Sequence, residues 1–111
     1  MYFHGNGEDI GYSQEFLEYL VTSLKINVLA IEYPSYGIYA EEGGCSDKKI
    51  KEDAEYMYLY VKQETGLEDK DIMIFGRSIG TGPAVHLAAR HQVGLLALMS
   101  AYTSIRDIAK F

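Results

Sequence analysis

The sequence predicts an α/β protein, a three-layer α/β sandwich with a mainly parallel sheet, of about four strands and three helices. Three observations point there. Short apolar or β-branched runs alternate along the chain with segments of helical hydrophobic spacing. The strand-like runs are continuously apolar rather than alternating, as in strands covered on both faces. The helical segments carry start and stop signals of their own.

In order, Met1 to Phe3 reads as the tail of a strand, and residues 4–11 as a glycine-bearing polar loop. From Ser13, which can cap a helix, Phe16, Leu17, Leu20, Val21 and Leu24 recur with helical spacing. Ile26 to Tyr33 (INVLAIEY) is the second strand, and residues 34–46 form a loop. Asp47 can cap a long helix whose inward stripe is Ile50, Ala54, Met57, Tyr58 and Val61, with Gly66 as its stop. Tyr56 and Tyr60 flank Tyr58 on the same helix, so these three of the ten tyrosines cannot share one face. Ile72 to Phe75 is a third, buried strand. Pro83 then sits in the first turn of a helix that runs through Ala84, Val85, Leu87 and Ala88 to His91, and Leu95 to Met99 is the fourth strand.

Composition narrows the function classes. With 111 residues and 48% hydrophobic content, the chain can bury a core. A formal charge of −6 argues against nucleic acid or an anionic membrane as partner, because basic patches supply most of the affinity for both. Lys48, Lys49 and Lys51 stand beside Glu52 and Asp53 and read as a solvated helix start. A single cysteine, Cys45, excludes an internal disulfide framework and fits a reducing compartment. It lies in GGCSD with no His or Lys close in sequence to activate its thiol. The longest glycine-free apolar run, Leu95 to Met99, is far too short for a membrane span, and no secretory signal is visible.

In a parallel sheet the functional site forms from loops at the carboxyl ends of the strands. Three such loops stand out: HGNGED, EYPSYG and GRSIG. Gly76-Arg77-Ser78-Ile79-Gly80 fits G-x-S-x-G between a strand and a helix, the setting of a nucleophile elbow. A serine displayed on so sharp a turn needs glycine two residues before and after it, where a β-carbon would collide. The alternative is a glycine-rich turn whose serine caps the next helix. His4-Gly5-Asn6 follows the first strand, where an esterase-type site takes its other oxyanion donor. The N–H groups of Asn6 and Ile79 would then hold the oxyanion together. His4 reads as a structural hydrogen-bonding residue, and His86 and His91 as surface or capping residues. GNGEDIG is not a dinucleotide fingerprint, GRSIGTG lacks the Lys-Ser/Thr pair of a P-loop, and no metal-ligand spacing is recognisable.

HGN, EYPSYG, GRSIGTGPA and SAYTSIRDI, in this order, resemble the α/β-hydrolase superfamily. More narrowly, they resemble its serine-aminopeptidase-like branch, which includes membrane-peripheral protein depalmitoylases. The resemblance covers essentially the whole chain. It implies a serine hydrolase with Ser78 as nucleophile, Asn6 and Ile79 as oxyanion-hole donors and no cofactor. It also implies a small acyl or peptide substrate, which a lipidated protein could present, and a cytoplasmic or membrane-peripheral location. Tyr33, Tyr36 and Gly37 match a loop that packs near the site without doing chemistry. Ser35 departs from a glycine common in relatives, Ala101 departs from a proline, and no cysteine for palmitoylation lies near residue 1.

In this fold the triad runs Ser, then Asp or Glu, then His. After Ser78 only His91 and Asp107 are nominal partners, and Asp107 reads as part of a short surface helix. Such domains run to roughly 200–250 residues. Residues 1–111 are therefore expected to be a partial domain, from oxyanion loop through the elbow and following strand, without the first strands or the Asp/His part. Alone they are expected to be inactive. The alternative is a truncated or degenerate hydrolase serving as a binding module or without an independent role.

Overall fold

The computed structural model describes residues 1–40 and 42–104, so Asp107 and its expected helix lie outside the described residues. Strands β1 (Tyr2–Phe3), β2 (Ala30–Ile31), β3 (Met73–Arg77) and β4 (Leu95–Met99) form one sheet in the order β2-β1-β3-β4, with every pairing parallel. Between them run α1 (Gln14–Leu24), α2 (Asp47–Thr65) and α3 (Thr81–Arg90). This is the predicted α/β class, incomplete as a sandwich.

The layers follow from strand register. Neighbouring residues on a strand project to opposite faces, and residues paired across parallel strands project to the same one. Tyr2 pairs with Phe75, and both rings meet Phe16 of α1 at centroid distances of 5.5 and 5.7 Å. Phe3 pairs with Gly76, which lies against Ala84 of α3. Helix α1 thus covers one face, while α3, with α2 packed against it, covers the other. The main core lies on the α2/α3 side, where Phe3, Ile31, Ile74, Ile50, Ala54, Tyr58, Ala84 and Leu87 are buried together.

Four sequence expectations need correction. The second strand pairs only at Ala30 and Ile31, because β2 is an edge strand whose single neighbour, β1, pairs with it at only two positions. Ser46, rather than Asp47, caps α2: its backbone is extended and its side chain accepts from the Lys49 amide, leaving Asp47 in the first turn to bind Lys51 at 2.7 Å. Ser13 does precede α1, yet its hydroxyl donates to the Asp9 carbonyl instead of capping. Helix α3 ends at Arg90, with His91 just beyond it. Gly66 ends α2 as expected, in the left-handed conformation with its N–H on the Lys62 carbonyl.

Candidate active site

Strand β3 ends at Arg77 and the chain turns at once through a short 3-10 turn, Ser78–Gly80, into α3. Ser78 takes φ = +52°, a left-handed conformation that costs a non-glycine residue about 1 kcal/mol or more. The turn is tight enough to exclude side chains on both sides. A β-carbon on Gly76 would lie 2.5 Å from the Gly80 carbonyl oxygen, and one on Gly80 would overlap the Phe3 carbonyl of β1. The two flanking glycines therefore do what their spacing predicts: they let the turn close on itself and against β1. The buried Thr81 hydroxyl donates to the Ser78 carbonyl at 2.7 Å, and the Tyr102 hydroxyl to that of Ile79 at 3.2 Å.

The loop after β1 lies beside this turn. A β-carbon on Gly5 would stand 3.6 Å from that of Ser78, so HGN and GRSIG meet in space although 73 residues separate Gly5 from Ser78. Among the described residues, no loop or turn carbonyl accepts from the Asn6 amide. The structure thus brings the loop carrying Asn6 beside the turn carrying Ser78 and Ile79.

The EYPSYG loop supports HGN from the far side. The Tyr33 hydroxyl donates to the His4 carbonyl at 2.6 Å, and the Tyr36 hydroxyl to Asn6 Oδ1 at 2.7 Å. The rings of His4, Tyr33 and Tyr36 pack against one another at tilted and edge-on angles, and burial pushes the Tyr33 and Tyr36 hydroxyl pKa values up, so both remain donors. His4 is 1% exposed, with Nδ1 against the Gly5 carbonyl at 2.9 Å and Nε2 against Glu32 Oε1 at 2.6 Å. Its ring is fully engaged within the protein.

The other histidines stand apart from Ser78. His91 bonds Glu55 Oε1 at 2.6 Å and stacks on Tyr58, while His86 lies 4.0 Å from Glu55 Oε2. His86 has its pKa lowered, mainly by burial and then by Arg90. None of the three histidines in the sequence bonds Ser78. Cys45 is exposed, and its thiol pKa is raised by desolvation and Asp53, the reverse of activation. Among the described residues no three His, Cys, Asp or Glu side chains gather as metal ligands would, and no helix is long and apolar enough to cross a membrane.

Two ion pairs escaped the sequence reading. Arg77 reaches Glu8 at 3.0 Å, linking the residue before Ser78 to the HGN loop. Glu32 binds His4, although it stands in a mostly apolar strand-like run. A lone carboxylate at the end of such a run was the signal available, since a charge there needs a partner.

Comparison with known proteins finds relatives over nearly the whole chain. The chain is 33% identical over 109 residues to alpha/beta hydrolase domain-containing protein 17B of Homo sapiens, covering 98% of the chain and 37% of that protein. It is 31% identical over the same span to the protein of that name in Xenopus laevis. It is also 35% identical to alpha/beta hydrolase domain-containing protein aho-3 of Caenorhabditis elegans, covering 32% of that relative. These similarities support an α/β-hydrolase branch for the chain. It spans about a third of the length of these curated relatives. No family model and no solved structure matches the chain.

Proposed function

We propose that Ser78 is the nucleophile of a serine hydrolase that cleaves an ester, thioester or amide through an acyl-enzyme. The observation that carries this reading is the left-handed Ser78 on a turn walled by Gly76 and Gly80. Strain of this kind persists only where the surrounding structure holds it, and it clusters at functional sites. Ser78 Oγ attacks the carbonyl carbon while a histidine takes its proton. The negative charge formed on the carbonyl oxygen is received by the N–H groups of Asn6 and Ile79. Collapse expels the alcohol, thiol or amine, which recovers the proton, and water then releases the acid by the same steps.

His4, His86 and His91 are committed elsewhere, so the base and its acid partner come from outside the described residues. Without them, the residues described here retain only oxyanion assistance, on the order of a thousandfold over water. The substrate class is a small acyl or peptide group, a lipidated protein among its sources, met in the cytoplasm or at a membrane periphery.

In the full-length protein, a fluorophosphonate probe is expected to label Ser78 and to leave Ser78→Ala unlabelled at equal folded concentration. Equal labelling of the variant would reject Ser78 as nucleophile. No labelling of the wild type would favour the inert binding-module alternative.

A further inference from the structure

The deepest polar feature near the turn is a chain of contacts that begins at Glu32. Its carboxylate, 13% exposed, accepts from three groups: His4 Nε2 at 2.6 Å, the Tyr33 amide at 3.2 Å and the Ile10 amide at 3.1 Å. A β-carbon on Gly37 would stand 2.6 Å from Glu32 Oε2, so that glycine leaves room for the carboxylate. The other nitrogen of His4 meets the Gly5 carbonyl, which also accepts the Glu8 amide at 3.3 Å. A carbonyl can only accept, so Nδ1 carries a proton. A second proton then sits between Nε2 and Glu32 Oε1, since two bare acceptors do not approach to 2.6 Å.

The consequence lies in the next peptide. The Gly5–Asn6 bond is trans, so the Gly5 carbonyl and the Asn6 N–H point in opposite directions from one rigid plane. Drawing the carbonyl toward the buried His4 ring turns the Asn6 N–H the other way. Gly5 itself lies against Ser78, and the Tyr36 hydroxyl fixes the Asn6 side chain through its Oδ1. We infer that Glu32 is a positioning residue: acting through His4 and the Gly5 carbonyl, it sets the direction of the Asn6 N–H that receives the oxyanion. Glu32 touches no substrate. The inference rests on the proposed role of Ser78.

The test starts with the full-length wild-type protein. Nitrogen-edited NMR of His4 should show protons on both ring nitrogens, with the Nδ1 proton slow to exchange; an unprotonated or freely exchanging Nδ1 overturns the inference without any variant. In Glu32→Gln the Asn6 amide resonance should move, and fluorophosphonate labelling of Ser78 should still reach completion but about tenfold to a hundredfold more slowly. With a p-nitrophenyl ester, kcat should fall by a similar factor while KM stays within about twofold. A labelling rate equal to wild type, measured well below the melting temperature, overturns the inference even if stability has dropped. An unmoved Asn6 amide overturns it too. Absence of labelling in the wild type would instead count against Ser78, while the His4 and Asn6 resonances would still judge Glu32.

Discussion

The two faces of the sheet are held in different ways. On the α2/α3 face, Phe3, Ile74, Ala84, Leu87, Ile50, Ala54 and Tyr58 are buried together, and the Ser78 turn closes directly against this block through Gly76 and Gly80. On the other face no residue of α1 is buried. Phe16, Leu17 and Leu20 are half-buried, while Val21 and Leu24 are exposed despite their helical spacing. The loop that runs from β1 to α1 carries Asn6, and polar contacts hold it: Glu32 to His4, Tyr36 to Asn6, Arg77 to Glu8. Apolar packing therefore positions the serine, and hydrogen bonds position its neighbouring loop. The two kinds of support differ in what breaks them.

The sharpest contrast comes from truncating one leucine on each face. Leu87 is 0% exposed in α3, and Leu24 is 58% exposed at the end of α1. Leu87→Ala should cost about 2–5 kcal/mol through lost burial and the cavity left behind. Leu24→Ala should fall within about 0.5 kcal/mol. Chemical denaturation of the full-length protein with each substitution reads the difference. Equal losses would mean that the α1 face is covered in the full-length protein, and the contrast would vanish.

The same contrast explains what was legible in the sequence. The α2 stripe was readable because Ile50, Ala54 and Tyr58 meet partners within these residues, with Met57 and Val61 packed at its margin. Periodicity in α1 announced an apolar face but not its cover, and Val21 and Leu24 of that face are exposed. The run INVLAIEY had the composition of a long strand, yet a ladder extends only as far as its partner. In the site, steric logic carried far: the glycine spacing predicted the turn, and HGN was placed beside Ser78. The charge of Glu32 signalled a need for a partner, but with residues 28 apart and 69 apart in sequence no local pattern named His4 for Glu32 or Glu8 for Arg77.

A gentler probe addresses backbone strain in the loop after β2. Ser35, in the loop after β2, has φ = +68°, and the resemblance had marked it as standing where relatives often carry glycine. The conformation supplies the reason for that preference. A β-carbon in this region costs about 1 kcal/mol or more, partly offset by the greater freedom glycine gains on unfolding. Ser35→Gly should therefore stabilise by about 0.5 kcal/mol, seen as a slightly higher denaturation midpoint with an unchanged slope. A lower midpoint would show that the Ser35 side chain contributes more than its backbone costs.

The smallest expected effect tests a tie on the well-packed side. Asp69 precedes β3 and accepts from the Lys62 ammonium and from the Tyr58 hydroxyl, each at 2.7 Å. The Lys62 hydrogen bond, followed by that from Tyr58, holds its carboxyl pKa down to about 2. An unfolded aspartate titrates near about 3.9. Because the folded value is the lower one, the contribution is fully present above the unfolded pKa and is lost as pH falls from about 4 toward about 2. The side chains of Asp69 and Lys62 are each about a third exposed, so solvent and salt weaken the tie. Melting temperatures of wild type and Asp69→Asn should therefore differ modestly at pH 6 and converge as the pH approaches about 2.5. The gap at pH 6 should also narrow in high salt. A difference that stays constant across this acid range would show that Asp69 acts through neutral hydrogen bonding alone, and that the charge on the packed face does no holding.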